Sequence, residues 1–247
     1  GRFILTGSAN PGGTALHSGA GRVVRVKMRP MSLAERGVSD PTVSLAALWR
    51  GDAVVVGQSD VGLADYTREI TYSGFPGIRF GPERMRARLV SSYVESVLEH
   101  DVPQLGFAPR RADSLSQWLR AYAAASSTTA SYTAIADAVP DDQRASRATI
   151  NAYRDVLSQL WLLDAVPSFP LSRNRLSELG KMPKHQLVDP ALAAALLPAS
   201  VETLLDGTAG REYAGLRDGP LLGLLFESLA TQSVRVYAQA LGLEVSH

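Results

Sequence analysis

Apolar residues recur at helical spacing most clearly between Asp113 and Pro170. Leu115, Trp118, Leu119 and Tyr122 share one face. Asp113 and Ser114 precede them, and Ser114 with Gln117 has capping-box spacing. Ser131 is placed to cap a second helix carrying Tyr132, Ile135 and Val139, which Pro140 stops. A third helix begins near Ser146, with Ile150, Tyr153, Leu157, Leu160 and Trp161 on its buried side. Arg147, Thr149, Asn151, Arg154 and Ser158 fall opposite. Leu162 to Phe169 then reads as extended, held by Pro167 and Pro170.

Before this stretch, Phe3-Ile4-Leu5-Thr6 has the continuous apolar character of a buried strand. The polar run Gly7 to Gly13 follows at its carboxyl end, where open α/β sheets bind ligands. Arg22 to Met28 alternates, with Val24, Val26 and Met28 on one face and Arg25, Lys27 and Arg29 on the other, predicting a second strand. Pro30 ends it, and Ser32 with Glu35 forms a capping box for a short helix. Two strands do not complete a parallel sheet, so the front of the chain reads as the end of a larger unit.

Asp40 to Asp60 shows no clear period. Leu63 to Ile70 predicts a helix ending at the turn Ser73 to Gly77. Arg84 to Leu98 predicts another, with Met85, Leu89, Tyr93 and Val97 near one face and Arg84, Arg86 and Arg88 in solvent. The small residues Ala123 to Ala130 connect two helices. After a loop with Arg173, Arg175, Lys181 and Lys184, His185 to Val188 reads as a short strand. Asp189-Pro190 is a strong helix start, a cap followed by a residue with no amide hydrogen. Gly219-Pro220 opens a final helix to about Leu241, closed by Gly242, and Leu243 to His247 begins a further strand.

At 247 residues the chain exceeds a typical single domain, and a net charge of +1 neither favours nor excludes a nucleic-acid partner. There is no cysteine, which removes disulfides and thiolate metal sites and fits a reducing cytoplasm. No apolar run reaches membrane-spanning length, so no membrane partner is expected. His17, His100, His185 and His247 lack metal-ligand spacing and are expected at the surface or in loops; no metal site is expected. The sequence G-x-x-x-x-G-K-[ST], whose amides and Lys hold phosphates, does not occur, since Gly180-Lys181 is followed by Met182. Gly-x-Ser-x-Gly is also missing. Glu227 stands on an otherwise apolar face of the last helix as a lone candidate carboxylate.

Helix, helix, longer helix, strand is the order of a winged helix-turn-helix, whose last helix can enter a DNA major groove. Arg147, Asn151 and Arg154 are then the groove-facing candidates, and Arg173 and Arg175 candidate phosphate contacts. Asp155, Asp141 and Asp142 stand close by and oppose a phosphate backbone. A packing or protein-interaction module without catalysis fits the same pattern.

Several short motifs occur in an order that resembles one family. Arg2-Phe3-Ile4-Leu5-Thr6-Gly7-Ser8-Ala9 looks like a late strand of an AAA-type P-loop ATPase core. Ala20-Gly21-Arg22 and Pro30-Met31-Ser32-Leu33-Ala34-Glu35 match its G-R and P-L-S-x-x-E motifs. Ser73-Gly74-Phe75-Pro76 resembles its G-G-[FY]-P turn, with Ser73 in place of the first Gly. Tyr93 to Asp101, Pro183 to Asp189 and Gly219 to Glu227 follow in the same order. The chain thus resembles prokaryotic AAA-family ATPases that carry a winged helix and a C-terminal domain similar to a restriction endonuclease.

The resemblance implies an α+β, mostly helical fold in four parts. Residues 1–38 would end an ATPase core, 39–112 form a helical connection, 113–170 a winged helix, and 171–247 begin the nuclease-like domain. It implies ATP and Mg²⁺ as cofactors of an intact protein whose phosphate loop and acidic strand precede this stretch, leaving this chain inactive as an ATPase by itself. Ser8 would be the polar sensor near the γ-phosphate, Arg22 a phosphate contact, and Glu227 a remnant of the nuclease-like site. DNA, a second copy or a partner protein are the partners it implies.

Overall fold

In the computed structural model, residues 26–52, 54–107, 112–169, 182–217 and 219–247 are described. They are mostly helical, as expected. The helices are α1 (Leu45–Arg50), α2 (Leu63–Thr71), α3 (Pro76–Arg79), α4 (Arg86–Ser96), α5 (Ala112–Ala124), α6 (Tyr132–Asp137), α7 (Arg147–Gln159), α8 (Pro190–Leu196), α9 (Val201–Leu205) and α10 (Leu221–Ala240). α4 continues through a π-helical turn, Val97–Asp101, and a last turn, Val102–Gln104. The expected strand Phe3 to Thr6, the loop after it, most of the strand from Arg22, and residues Ser8, Arg22, Arg173 and Arg175 lie outside the described residues.

Helix α8 is the hub. Its sequence, Pro-Ala-Leu-Ala-Ala-Ala-Leu, is apolar all round, and such a helix has to be covered all round. α2, α4, α5 and α10 pack on it, and every residue except Ala195 is buried. The small Ala side chains let these neighbours approach closely. Asp189 begins the helix, its carboxylate accepting the Ala191 N–H at 2.9 Å. The same carboxylate accepts the Ser73 hydroxyl at 2.8 Å and the Gly74 N–H at 2.7 Å. Asp189 is wholly buried, so these three donors replace the water its charge would otherwise hold.

The turn after α2 is shaped to deliver those donors. Ser73 takes a left-handed backbone (φ 65°). Gly74 lies against an earlier segment: its carbonyl accepts the Met31 N–H at 2.8 Å. A Cβ on Gly74 would stand 2.5 Å from Arg36 Nη2 and 2.8 Å from the Met31 oxygen, so only glycine fits here.

The three helices from Asp113 onward form as the spacing predicts. Ser131 caps α6 through the Ala134 N–H and Ser146 caps α7 through the Thr149 N–H. Leu115, Trp118, Leu119, Tyr122, Ile135, Val139, Ile150, Tyr153 and Leu157 are buried together. The segments 162–166 and 184–188 then pair antiparallel: Val188 donates to Leu162, Asp164 to Gln186, and Val166 and Lys184 exchange both bonds. The connection after α5 covers the other edge, with Ser127 donating to His185 and His185 to Thr128. This makes a three-segment ladder, and it draws Ala125 to Ser127 of that connection into the core; Ala123 and Ala124, expected in the connection, end α5 instead. The C-terminal stretch joins through one residue, His247, which bonds Pro167 and Phe169.

Several expectations are corrected. Ser114 is not a cap; it lies inside the first turn of α5 and donates to the Gln143 carbonyl at 2.6 Å. Trp161 is not on the buried face of α7; it is 46% exposed, just past the helix end, at φ 59°. α4 buries Val90, Val94 and Val97, while Met85 is exposed and Leu89 and Tyr93 are half-buried, because α8 meets a face turned from the one the spacing favoured. Ser32 and Glu35 do form their box, but it closes only a single turn. Residues 26–28, the described end of the expected second strand, form no strand; Val26 and Met28 are exposed while Lys27 and Arg29 point inward.

This orientation follows from what lies beneath. Residues 27–34 run along the second half of α10, whose inward residues there are polar. Gln239 donates to the Lys27 carbonyl and Gln232 to the Pro30 carbonyl, both at 3.0 Å. Ser233 and Tyr237 accept the N–H groups of Leu33 and Ala34. The first half of α10 instead buries Leu221, Leu225 and Leu229 in the common core. Gly242 (φ 70°) closes the helix, as its position in the sequence predicts.

Two substitutions test this core. Asp189→Ala strands three donors and is expected to destabilise the fold by about 2–4 kcal/mol. Gly74→Ala is expected to cost about 1–3 kcal/mol by overpacking against Met31 and Arg36. Urea unfolding midpoints at constant slope read both, and a wild-type midpoint for Asp189→Ala would remove α8's cap as the organising contact.

Candidate functional site

The outward face of α7 carries the groove candidates. Arg147 and Asn151 are exposed, as predicted. Arg154 is half-buried, with its guanidinium 3.7 Å above the Tyr132 ring and a long contact of 3.4 Å to Asn151 Oδ1. The three residues therefore share a face, but Arg154 is partly engaged by an aromatic contact. Arg144, one turn upstream, pairs with Asp137 and Asp141. Asp155 is exposed beside the row, so the face is mixed in sign.

Beneath Tyr132 lies His185. The sequence placed it at the surface or in a loop; the structure buries it completely, between the rings of Tyr132 and Tyr122. Its Nε2 lies 2.7 Å from the Ala130 carbonyl and so carries the hydrogen, while Nδ1 is buried without a partner among the described residues. Burial lowers the His185 pKa, more than the Ala130 contact raises it, and holds the ring neutral. Burial likewise pushes the Tyr122 phenol far above its ordinary value. His100 and His247 are exposed, in keeping with the expectation for them.

Glu227 meets Lys184, Nζ to carboxylate 2.6 Å, an ion pair that ties the ladder to α10. The Glu227 side chain is 41% exposed, so it is not sunk in an apolar face. Among the described residues no group of three His, Asp or Glu side chains is placed to hold a metal.

A cluster that the sequence reading missed lies where residues 27–29 meet the ladder. Asp164 accepts Lys27 at 2.7 Å, Arg29 at 2.9 Å and Arg235 at 3.1 Å. Burial alone would raise the Asp164 pKa; the charges of Lys27 and Arg235 and the bonds from Arg29 and Lys27 hold it below its ordinary value. Its contribution to stability is therefore full above the ordinary carboxylate range and is lost as pH falls through the lowered value. The available signal was the basic pair Lys27 and Arg29 at strand spacing.

Residues 63–203, more than half of the chain, match a family described as a domain of unknown function (DUF8612). The chain belongs to this family. No curated protein and no solved structure matches it. The matched stretch runs from the start of α2 into α9 and contains the Ser73–Asp189 contact, all of α5 to α8 and the ladder. Residues 27–36 and α10 lie outside the match, so the Asp164 cluster joins a DUF8612 residue to two flanking segments.

His185 generates a pH prediction. Its folded pKa lies below the ordinary value, so above about pH 6.5 both states are neutral and it contributes nothing. As pH falls below that, the unfolded chain takes up a proton that the native chain refuses, and stability drops until the folded pKa is crossed. Urea midpoints at pH 7, 6 and 5 should fall more steeply for the wild type than for His185→Gln. Parallel curves would show that this ring protonates freely in the fold.

Proposed function

We propose that this chain is part of an AAA-type ATP-dependent protein, in which residues 26–36 join the nucleotide-binding core to a winged-helix half that makes contacts with partners. The observation that carries the reading is that the short motifs of the resemblance, far apart in sequence, touch one another. Met31 of the P-L-S-x-x-E stretch donates to Gly74 of the S-G-F-P turn, and Ser73 and Gly74 donate to Asp189. Leu33 and Ala34 of the first motif are held by α10. A winged-helix unit is supported by three helices followed by an antiparallel pair whose outer edge is covered by the connection after the first helix.

In this reading a displacement of residues 27–36 pulls on Asp164, five residues beyond the end of α7, and so reaches the outward face of that helix. ATP and Mg²⁺, a sensor role for Ser8, a phosphate contact by Arg22, the nuclease-like character of 171–247 and a cytoplasmic location belong to the same proposal. The sequence has no phosphate-binding loop and the described residues offer no metal-ligand group, so they do not fit Mg-ATP and no chemical step is assigned to them. Among the described residues no helix is long and apolar enough to cross a membrane.

Coupling is tested by loosening the strip. In Arg29→Ala with Gln232→Ala, amide exchange is expected to rise about tenfold or more in residues 27–36 and in the 162–166 segment, with α8 still protected. Exchange that rises in the strip alone would disconnect it from the winged-helix unit.

A second reading, DNA binding through α7, is favoured by the exposure of Arg147 and Asn151 on one face. Binding should be weak and salt-sensitive because of Asp155 and the nearly neutral chain. In a low-salt mobility shift, Arg147→Ala should weaken binding and lower the salt slope by about one. Wild-type affinity in Arg147→Ala with Arg154→Ala, or no binding by either protein, would leave a protein-docking module.

A further inference from the structure

The Asp164 cluster is unbalanced. Three cations, Lys27, Arg29 and Arg235, surround one carboxylate, and no other carboxylate lies within ion-pair reach of them among the described residues. Their side chains are only 19%, 11% and 13% exposed, so solvent screens the two surplus charges poorly. Burial lowers the Lys27 pKa first, and Arg29 and Arg235 lower it further against the pull of Asp164. A purely structural latch of this size would be balanced better by a second acid.

The surroundings keep donors open to a ligand. Arg29 gives Nη1 to Gln239 at 2.8 Å and Nε and Nη2 to Asp164 at 2.9 and 3.5 Å, which leaves the second hydrogen of each Nη. Arg235 spends one nitrogen on the Asp164 carbonyl and another on its carboxylate. Among the described residues the Lys27 ammonium makes one hydrogen bond, to Asp164, and it sits 4.8 Å above the Trp161 ring. Trp161 occupies the left-handed position that ends α7, a place where glycine is favoured and a bulky side chain is costly. Trp161 nonetheless stands there with its ring against Lys27 and 46% exposed.

We propose that Lys27, Arg29 and Arg235 form a binding site for a phosphate dianion, roofed on one side by Trp161 and oriented by Asp164. Two surplus charges match the charge of the ligand, and the hydrogens that the two guanidinium groups and the ammonium do not spend on Asp164 and Gln239 are left for its oxygens. This goes beyond the proposed function and does not require it. The dianion can be free phosphate or the terminal group of a soluble phosphate monoester; a nucleic-acid backbone phosphate is a diester with a single charge and does not match the two surplus cations.

The test is calorimetric titration of the full chain with inorganic phosphate at constant ionic strength, with chloride as control. Saturable one-to-one binding of phosphate alone is expected, with a change in Trp emission that Trp161→Phe removes. Arg235→Gln is expected to weaken binding about tenfold or more. Should Arg235→Gln not fold, Lys27→Gln, on the most exposed of the three cations, serves in its place and should weaken binding likewise. Competition checks the charge match: displacement by a phosphate monoester but not by a short duplex is expected, and equal displacement by the duplex would overturn the dianion match. Phosphate heats equal to chloride, or wild-type affinity in folded variants, would overturn the site.

Discussion

The structure depends on a buried carboxylate. Asp189 has no access to water, and its charge is carried by the Ser73 hydroxyl and the amides of Gly74 and Ala191. One of those donors starts the central helix and two come from a turn more than a hundred residues earlier. A single side chain thereby sets where α8 begins and how the α2 turn sits on it. The turn in turn receives Met31, so the earliest described segment is placed by the same point. Buried charges are tolerated only when fully bonded, and that makes such contacts intolerant of displacement.

Around this point the molecule uses two kinds of adhesion. The helical core is held by apolar packing on α8, whose Ala residues admit close neighbours and leave no direction preferred. The strip at 27–36 is held by side chains of α10 bonding to its backbone and by the Asp164 cluster, while its own apolar residues Val26 and Met28 face outward. Polar contacts of this kind are directional and sensitive to salt, and a strip so held is easier to shift as a unit than a core helix. Arg36, buried and bonded to the Met31 and Glu69 carbonyls, marks where strip and core meet.

The ladder has a similar double role. Its central segment, 184–188, bonds on both edges, so His185 is fixed by backbone on either side before its ring is enclosed by Tyr122 and Tyr132. From Arg154 inward, an exposed helix face, an aromatic ring and a neutral histidine are stacked in contact. Glu227 and Lys184 add an ion pair between this ladder and α10, at a solvent-open place where such pairs contribute little stability but do fix geometry.

Sequence alone determined the elements whose signals are local. The helices of the three-helix unit, the Ser131 and Ser146 caps, the Asp189-Pro190 start and the Gly242 stop follow from periodicity and backbone chemistry within a few residues. Tertiary structure decided which face each element turned inward. Alternation at Val24 to Arg29 says that two faces differ, but the polar stripe Gln232, Ser233, Arg235 and Gln239 made the charged face the inner one. Ser114 has the spacing of a cap, yet the Gln143 carbonyl claims its hydroxyl. Trp161 continues a helical stripe, yet the helix ends two residues before it. The His185 environment and the Asp164 cluster join residues as much as 208 positions apart, from Lys27 to Arg235. The physical reason is that a local pattern fixes backbone conformation through nearest neighbours, whereas burial, ion pairing and protonation depend on what a distant segment places alongside.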